Sequence, residues 1–160
     1  MNLGFAVIDD LDGHFCDLCK YDYGNRLANV VSCADRQLAD FIDWCREQDF
    51  YEDTVIVIMG DHPRMDTTLV EDTDYYDRTM YNCFLNAVPT PSGAVTERTV
   101  TSFDLFPTML AAMGFSIEGE RLGFGVNLFS SMPTLAEQLG YDYLETEINK
   151  FSEYYIREFS

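Results

Sequence analysis

The residues best suited to chemistry stand together in Gly60-Asp61-His62. They follow Val55-Ile56-Val57-Ile58-Met59, a continuous apolar run that reads as a buried strand. In open parallel sheets, ligands collect beyond the carboxyl ends of the strands. A carboxylate and an imidazole delivered there offer oxygen and nitrogen donors of the kind Zn²⁺ or Mn²⁺ accepts. Gly60 lets the backbone turn so that both side chains can face one ion, whereas a continuing strand would send them to opposite faces. Two adjacent donors make half a site, because such ions take three or four protein ligands. The plainer alternative is that Asp61 caps a turn and His62 is a half-buried loop histidine.

The other histidine, His14, also follows an apolar run, Leu3–Ile8, through the acidic loop Asp9-Asp10-Leu11-Asp12-Gly13. It could converge on the same cleft or be a surface loop residue. Cys16-x-x-Cys19 is open to three readings: a local disulfide, half a zinc site, or two unrelated thiols. Asp66, Glu71, Asp72, Asp74 and Asp77 lack the glycine and the spacing of a calcium loop, so they read as a solvated acidic face.

Elements must position these groups. From Arg26, apolar residues recur at steps of three and four (Leu27, Val31, Ala34, Leu38, Phe41, Ile42, Cys45), which predicts a helix ending near Gln48-Asp49. Thr54–Met59 predicts a strand covered on both sides in a parallel sheet. Helix, short connection and buried strand are half of a right-handed crossover. Met80–Asn86 predicts a further strand. Phe103–Met113 predicts a helix capped by Asp104, with Pro107 in its first turn and Gly114 as its stop. Gly119–Gly125 reads as a loop, and one or two amphipathic helices follow, roughly Thr134–Leu139 and Tyr141–Glu158. The order points to an α/β layered fold in a single domain spanning residues 1–160.

The 160 residues are 47% hydrophobic with five prolines, which excludes disorder for most of the length. Ten Lys and Arg against 28 Asp and Glu leave a net charge of −18. A field of that sign repels nucleic-acid phosphates and anionic lipid surfaces, so no nucleic-acid partner is expected. A bound divalent ion could still bring a phosphate in. No stretch approaches the roughly 20 apolar residues of a membrane span. The first residues have no basic, signal-like layout and read as if they begin inside a strand. Five cysteines, an odd count, argue against a full disulfide framework.

Asp53-Thr54-Val55-Ile56-Val57-Ile58-Met59-Gly60-Asp61-His62 resembles the strand and metal-binding turn of the alkaline phosphatase/sulfatase superfamily, and more narrowly its phosphoglycerol transferase and lipoteichoic acid synthase branch. Three further segments resemble it in the same order. Asp12-Gly13-His14 is similar to a substrate-pocket turn, and the helix from Leu27 through Asp35 to Ile42 resembles the one before the strand. Ser102-Phe103-Asp104-Leu105-Phe106-Pro107-Thr108-Met109-Leu110 is similar to the superfamily's D-x-x-P-T-x-L helix, with Gly123–Phe129 as the glycine loop after it. The resemblance implies a doubly wound, mostly parallel sheet flanked by helices, of which this chain is the C-terminal portion.

It implies phosphoryl or sulfuryl transfer with one divalent ion, Mn²⁺ foremost and Zn²⁺, Mg²⁺ or Ca²⁺ as alternatives. Asp61 and His62 are the implied metal ligands, and His14 the implied substrate contact; Arg64 is close enough to the turn to be an anion contact. The implied substrate is an anionic phosphate ester such as a phosphatidylglycerol-type headgroup, handled at the extracytoplasmic face of a bacterial membrane by a protein with upstream membrane helices. The nucleophile and remaining acidic ligand belong to the preceding half of such domains; Thr67, Thr68 and Ser102 stand in the wrong motifs, so the chain alone is expected to be inactive. A sulfatase or phosphonate-type hydrolase, and a non-catalytic module with a vestigial metal site, are the alternatives. Exposed strand edges are expected to favour self-association.

Overall fold

The computed structural model describes residues 26–60, 81–89 and 98–159. By its contacts the chain divides into two compact units, Met1–Thr54 with Ile58–Cys83 and Val55–Val57 with Phe84–Ser160.

In the first unit the dominant element is α1 (Arg26–Arg46). The three-and-four spacing does form a helix, but the buried positions differ in part from the expected stripe. Cys33 and Cys45 are buried, whereas Val31 is 51% exposed. The burying surface is centred nearer Cys33 than periodicity alone implied, and a helical wheel cannot say which edge of a wide apolar stripe is covered. The opposite face carries the exposed pairs Arg36–Asp40 (3.0 Å) and Asp43–Arg46 (2.8 Å). Exposed pairs of this kind each contribute only a few tenths of a kcal/mol. Phe41 stacks on Trp44, and Trp44 meets the edge of Phe50 just past the helix. A 3₁₀ turn (Tyr51–Asp53) follows, and the Thr54 hydroxyl donates to the Phe50 carbonyl at 2.7 Å. These bonds close the turn that feeds the next strand.

The apolar run forms β1 (Ile56–Met59), and the second predicted strand forms β2 (Asn82–Leu85). They pair as a two-stranded sheet. The Gly60 N–H donates to the Tyr81 carbonyl at 2.9 Å, which sets the end of β1 beside the start of β2 and makes the pair antiparallel. The parallel partners expected for this run are not among the described residues, and Ile56, Val57 and Ile58 are half-buried. A short apolar run signals a covered strand without specifying the direction of its neighbour.

The second unit is built on α2 (Leu105–Ala112), preceded by a 3₁₀ turn at Ser102–Asp104. α2 ends as expected at Gly114, whose φ is +87°. The Gly114 N–H donates to Ala111 and the Phe115 N–H to Leu110, the paired bonds of a Schellman cap. A 3₁₀ turn at Glu118–Glu120 leads into a small antiparallel hairpin of β3 (Arg121–Leu122) and β4 (Gly125–Val126). Its two-residue turn has Gly123 at φ +61°, as a type II′ turn requires of its first central residue. The segment read as a loop is therefore a hairpin too short for alternation to show. After Phe129 come α3 (Leu135–Leu139), α4 (Tyr141–Ile148) and α5 (Glu153–Phe159). The predicted second tail helix is thus two helices, broken after Ile148. No described helix is long and apolar enough to cross a membrane.

Candidate functional site

β1 runs straight into the candidate turn. Just past its last residue, the Gly60 N–H donates to the Tyr81 carbonyl, and Asp61 follows directly in the sequence. Asp61, His62, Arg64 and His14 themselves lie outside the described residues, as do Cys16 and Cys19. Among the described residues no three His, Cys, Asp or Glu side chains gather as a metal-binding group. The donor chemistry of Asp61 and His62, one carboxylate and one imidazole, fits a divalent cation.

What the described residues do assemble is a polar junction beneath the helix of the D-x-x-P-T segment. Asp104 is buried. One carboxylate oxygen accepts from the Thr101 N–H (2.8 Å) and hydroxyl (3.1 Å), and the other from the Val126 N–H (2.9 Å). Asp104 was expected to cap α2. It makes no such cap bond and is instead the third residue of a capping box opened by Thr101, with its other oxygen turned to the hairpin.

Thr108, one turn on, donates to the Asp104 carbonyl at 2.6 Å and accepts from the Leu128 N–H at 3.0 Å. Helix and hairpin are thus bonded from two successive turns. Gly125 completes the fit: a Cβ there would lie 1.9 Å from the Phe103 carbonyl oxygen. Every oxygen of this cluster is engaged by donors, and Thr108 is buried, so neither side chain is placed to attack a substrate. The junction positions backbone; it does not perform chemistry.

A second polar node holds the chain after the hairpin. The Arg98 guanidinium forms a fork on Glu137 (3.1 and 2.8 Å) and donates to the carbonyls of Met132 (2.6 Å) and Ser130 (3.1 Å). The two side chains are 11% and 25% exposed. Glu137 also caps its own helix, accepting from the Thr134 N–H at 2.8 Å while Thr134 accepts from the Glu137 N–H at 3.1 Å. The Arg98 guanidinium holds the Glu137 carboxyl below the ordinary glutamate range, and Glu137 in turn raises Arg98. The spacing Thr134-x-x-Glu137 is a readable capping box. Nothing in the sequence marks Arg98 as its partner across 39 residues.

The sulfatase family model matches residues 15–115. That is well over half of the chain. The chain belongs to the sulfatase family. The matched stretch contains Asp61, His62 and Arg64 and runs through α2, while His14 falls one residue before it and the hairpin after it. The junction at Asp104 and Thr108 therefore ties a sulfatase-family helix to a loop beyond the match.

The phosphoglycerol transferases I of Salmonella paratyphi B, Salmonella newport and Salmonella typhi are each 33% identical over 66 residues. That stretch is 39% of this chain and 9% of each relative. No solved structure matches the chain.

Proposed function

We propose that this chain carries part of the catalytic domain of a metal-dependent phosphoglycerol transferase-type enzyme. The supporting observation is that β1 and its Gly60–Tyr81 bond directly precede Asp61-His62 in the sequence, within a sulfatase-family match. Asp61 and His62 would hold one divalent ion, with Mn²⁺ the first candidate. Such an ion supplies charge neutralisation at a phosphoryl oxygen when bound. His14 and Arg64 contact the anionic ester, and Arg64 supplies positive charge that an otherwise acidic protein lacks.

The similarity to phosphoglycerol transferase I favours a glycerol-phosphate ester, such as a phosphatidylglycerol-type headgroup, over a sulfate ester. The reading places the work at the extracytoplasmic face of a bacterial membrane. It treats β1 as part of a larger doubly wound, mostly parallel sheet within one domain. The nucleophile and the remaining acidic ligand are not among the 160 residues, so the chain alone does not turn over substrate.

Calorimetric titration of the full chain with Mn²⁺ tests the site. Saturable binding is expected, weakened at least ~10-fold by Asp61→Asn and by His62→Ala. Absence of saturable binding, or binding that ignores both changes, overturns the claim that Asp61 and His62 hold an ion in this chain. A phosphodiesterase assay of the same chain is expected to show no turnover; metal-dependent turnover that requires Asp61 refutes the claim that the chain is catalytically incomplete.

A further inference from the structure

The C-terminal helices are joined to the preceding chain differently from the way α2 is joined to the hairpin. α2 and the hairpin share a buried junction in which Asp104, Thr108 and Val126 are all covered. α3 packs chiefly on α4, with Thr134, Ala136 and Leu144 buried there. Its bonds back to the strap at Arg98–Thr99 are polar. Arg98 forks onto Glu137, and the Thr134 hydroxyl donates to the Thr99 carbonyl at 2.6 Å. Arg98 also gathers the Ser130 and Met132 carbonyls, so one guanidinium secures both α3 and the segment leading to it. α5 buries none of its residues.

We propose that the Arg98–Glu137 pair is a latch: closed, it holds residues 130–148 on the Arg98–Thr99 strap, and open, it releases them together while the Asp104–Thr108 junction stays formed. The free energy of a local opening is set by the ties it breaks, and segments held by few buried apolar contacts open below the global limit. Here the charged tie and the Ser130 and Met132 bonds converge on one side chain, with the Thr134–Thr99 bond as the second tie. Losing the Glu137 end of the fork removes the charge-assisted pair and leaves Arg98 only neutral carbonyls, so the loop and α3 are loosened at once.

Acid is the physical trigger. Glu137 has its folded pKa lowered, first by the Arg98 hydrogen bond and then by the backbone N–H groups of Thr134 and Thr99. A lowered carboxyl pKa means that the stabilisation is complete above the free-glutamate pKa and is lost as pH falls through the lowered folded value. Among the described residues, the other charged group facing Arg98 is Asp104, which also favours the guanidinium's charge. The latch is therefore shut at neutral pH and opens in acid.

Hydrogen exchange of the full chain, read by mass spectrometry, tests this in the wild type and in Glu137→Gln at neutral pH. Amides across residues 134–147 are expected to lose at least ~10-fold of their protection in the variant, while those of Val126 and Leu128 keep theirs. Arg98→Lys, which retains charge without the fork, is expected to fall between the two. If Glu137→Gln does not fold, protection factors of the wild type through an acid series decide, with the 134–147 amides losing protection before Val126 and Leu128. Equal loss in both regions, or unchanged protection of residues 134–147, overturns the latch.

Discussion

Asp104 shows how one side chain can hold several backbone segments. Its two oxygens take the Thr101 N–H and hydroxyl, which are partly buried, and the Val126 N–H, which is buried. Asp104→Ala leaves those donors without an acceptor, at a cost of about 1–3 kcal/mol for each buried group. The expected outcome is a loss of at least about 3 kcal/mol in urea unfolding, with Asp104→Asn losing less because one acceptor oxygen survives. A near-neutral Asp104→Ala would show that the junction does not carry stability. Gly125→Ala is expected to be as damaging for a different reason: its Cβ would meet the Phe103 carbonyl, and backbone rather than a flexible side chain must move.

At the scale of elements, caps decide where the helices begin and end. Thr134 opens α3 with a reciprocal bond to Glu137 and also reaches the Thr99 carbonyl. Replacing such a cap by alanine costs about 1 kcal/mol. Thr134→Ala is therefore expected to lower stability by about 1 kcal/mol or somewhat more, read as a shift of the denaturation midpoint at constant slope. α1 and α2 were legible because their apolar spacing and the stop at Gly114 are local signals. The β3–β4 hairpin was not, because two residues per strand are too few to alternate. The direction of the β1–β2 pairing was equally hidden, since it depends on a neighbour rather than on either strand's own residues.

At the scale of the whole molecule, charge is the dominant imbalance. A net charge of −18 makes the folded chain repel itself, and that repulsion is screened within about 8 Å at physiological salt. Raising NaCl from ~20 mM to ~500 mM is expected to raise the thermal midpoint, because general repulsion outweighs exposed ion pairs that each contribute little. A midpoint that falls with salt would mean that specific ion pairs dominate instead. On the proposed reading, the same acidity is the reason a phosphate ester would need a local cation at Asp61, His62 and Arg64.

The sequence by itself determined the α/β character, the long helix before an apolar strand and the membership of the sulfatase family. Each is written in short-range spacing and residue type, which survive without knowledge of neighbours. Tertiary structure alone decided that Asp104 turns to Val126 rather than capping its helix, that Gly125 meets Phe103, and that Arg98 finds Glu137. Those outcomes join residues far apart in the chain. Which donor meets which acceptor is set by how the elements pack, and no local pattern encodes it.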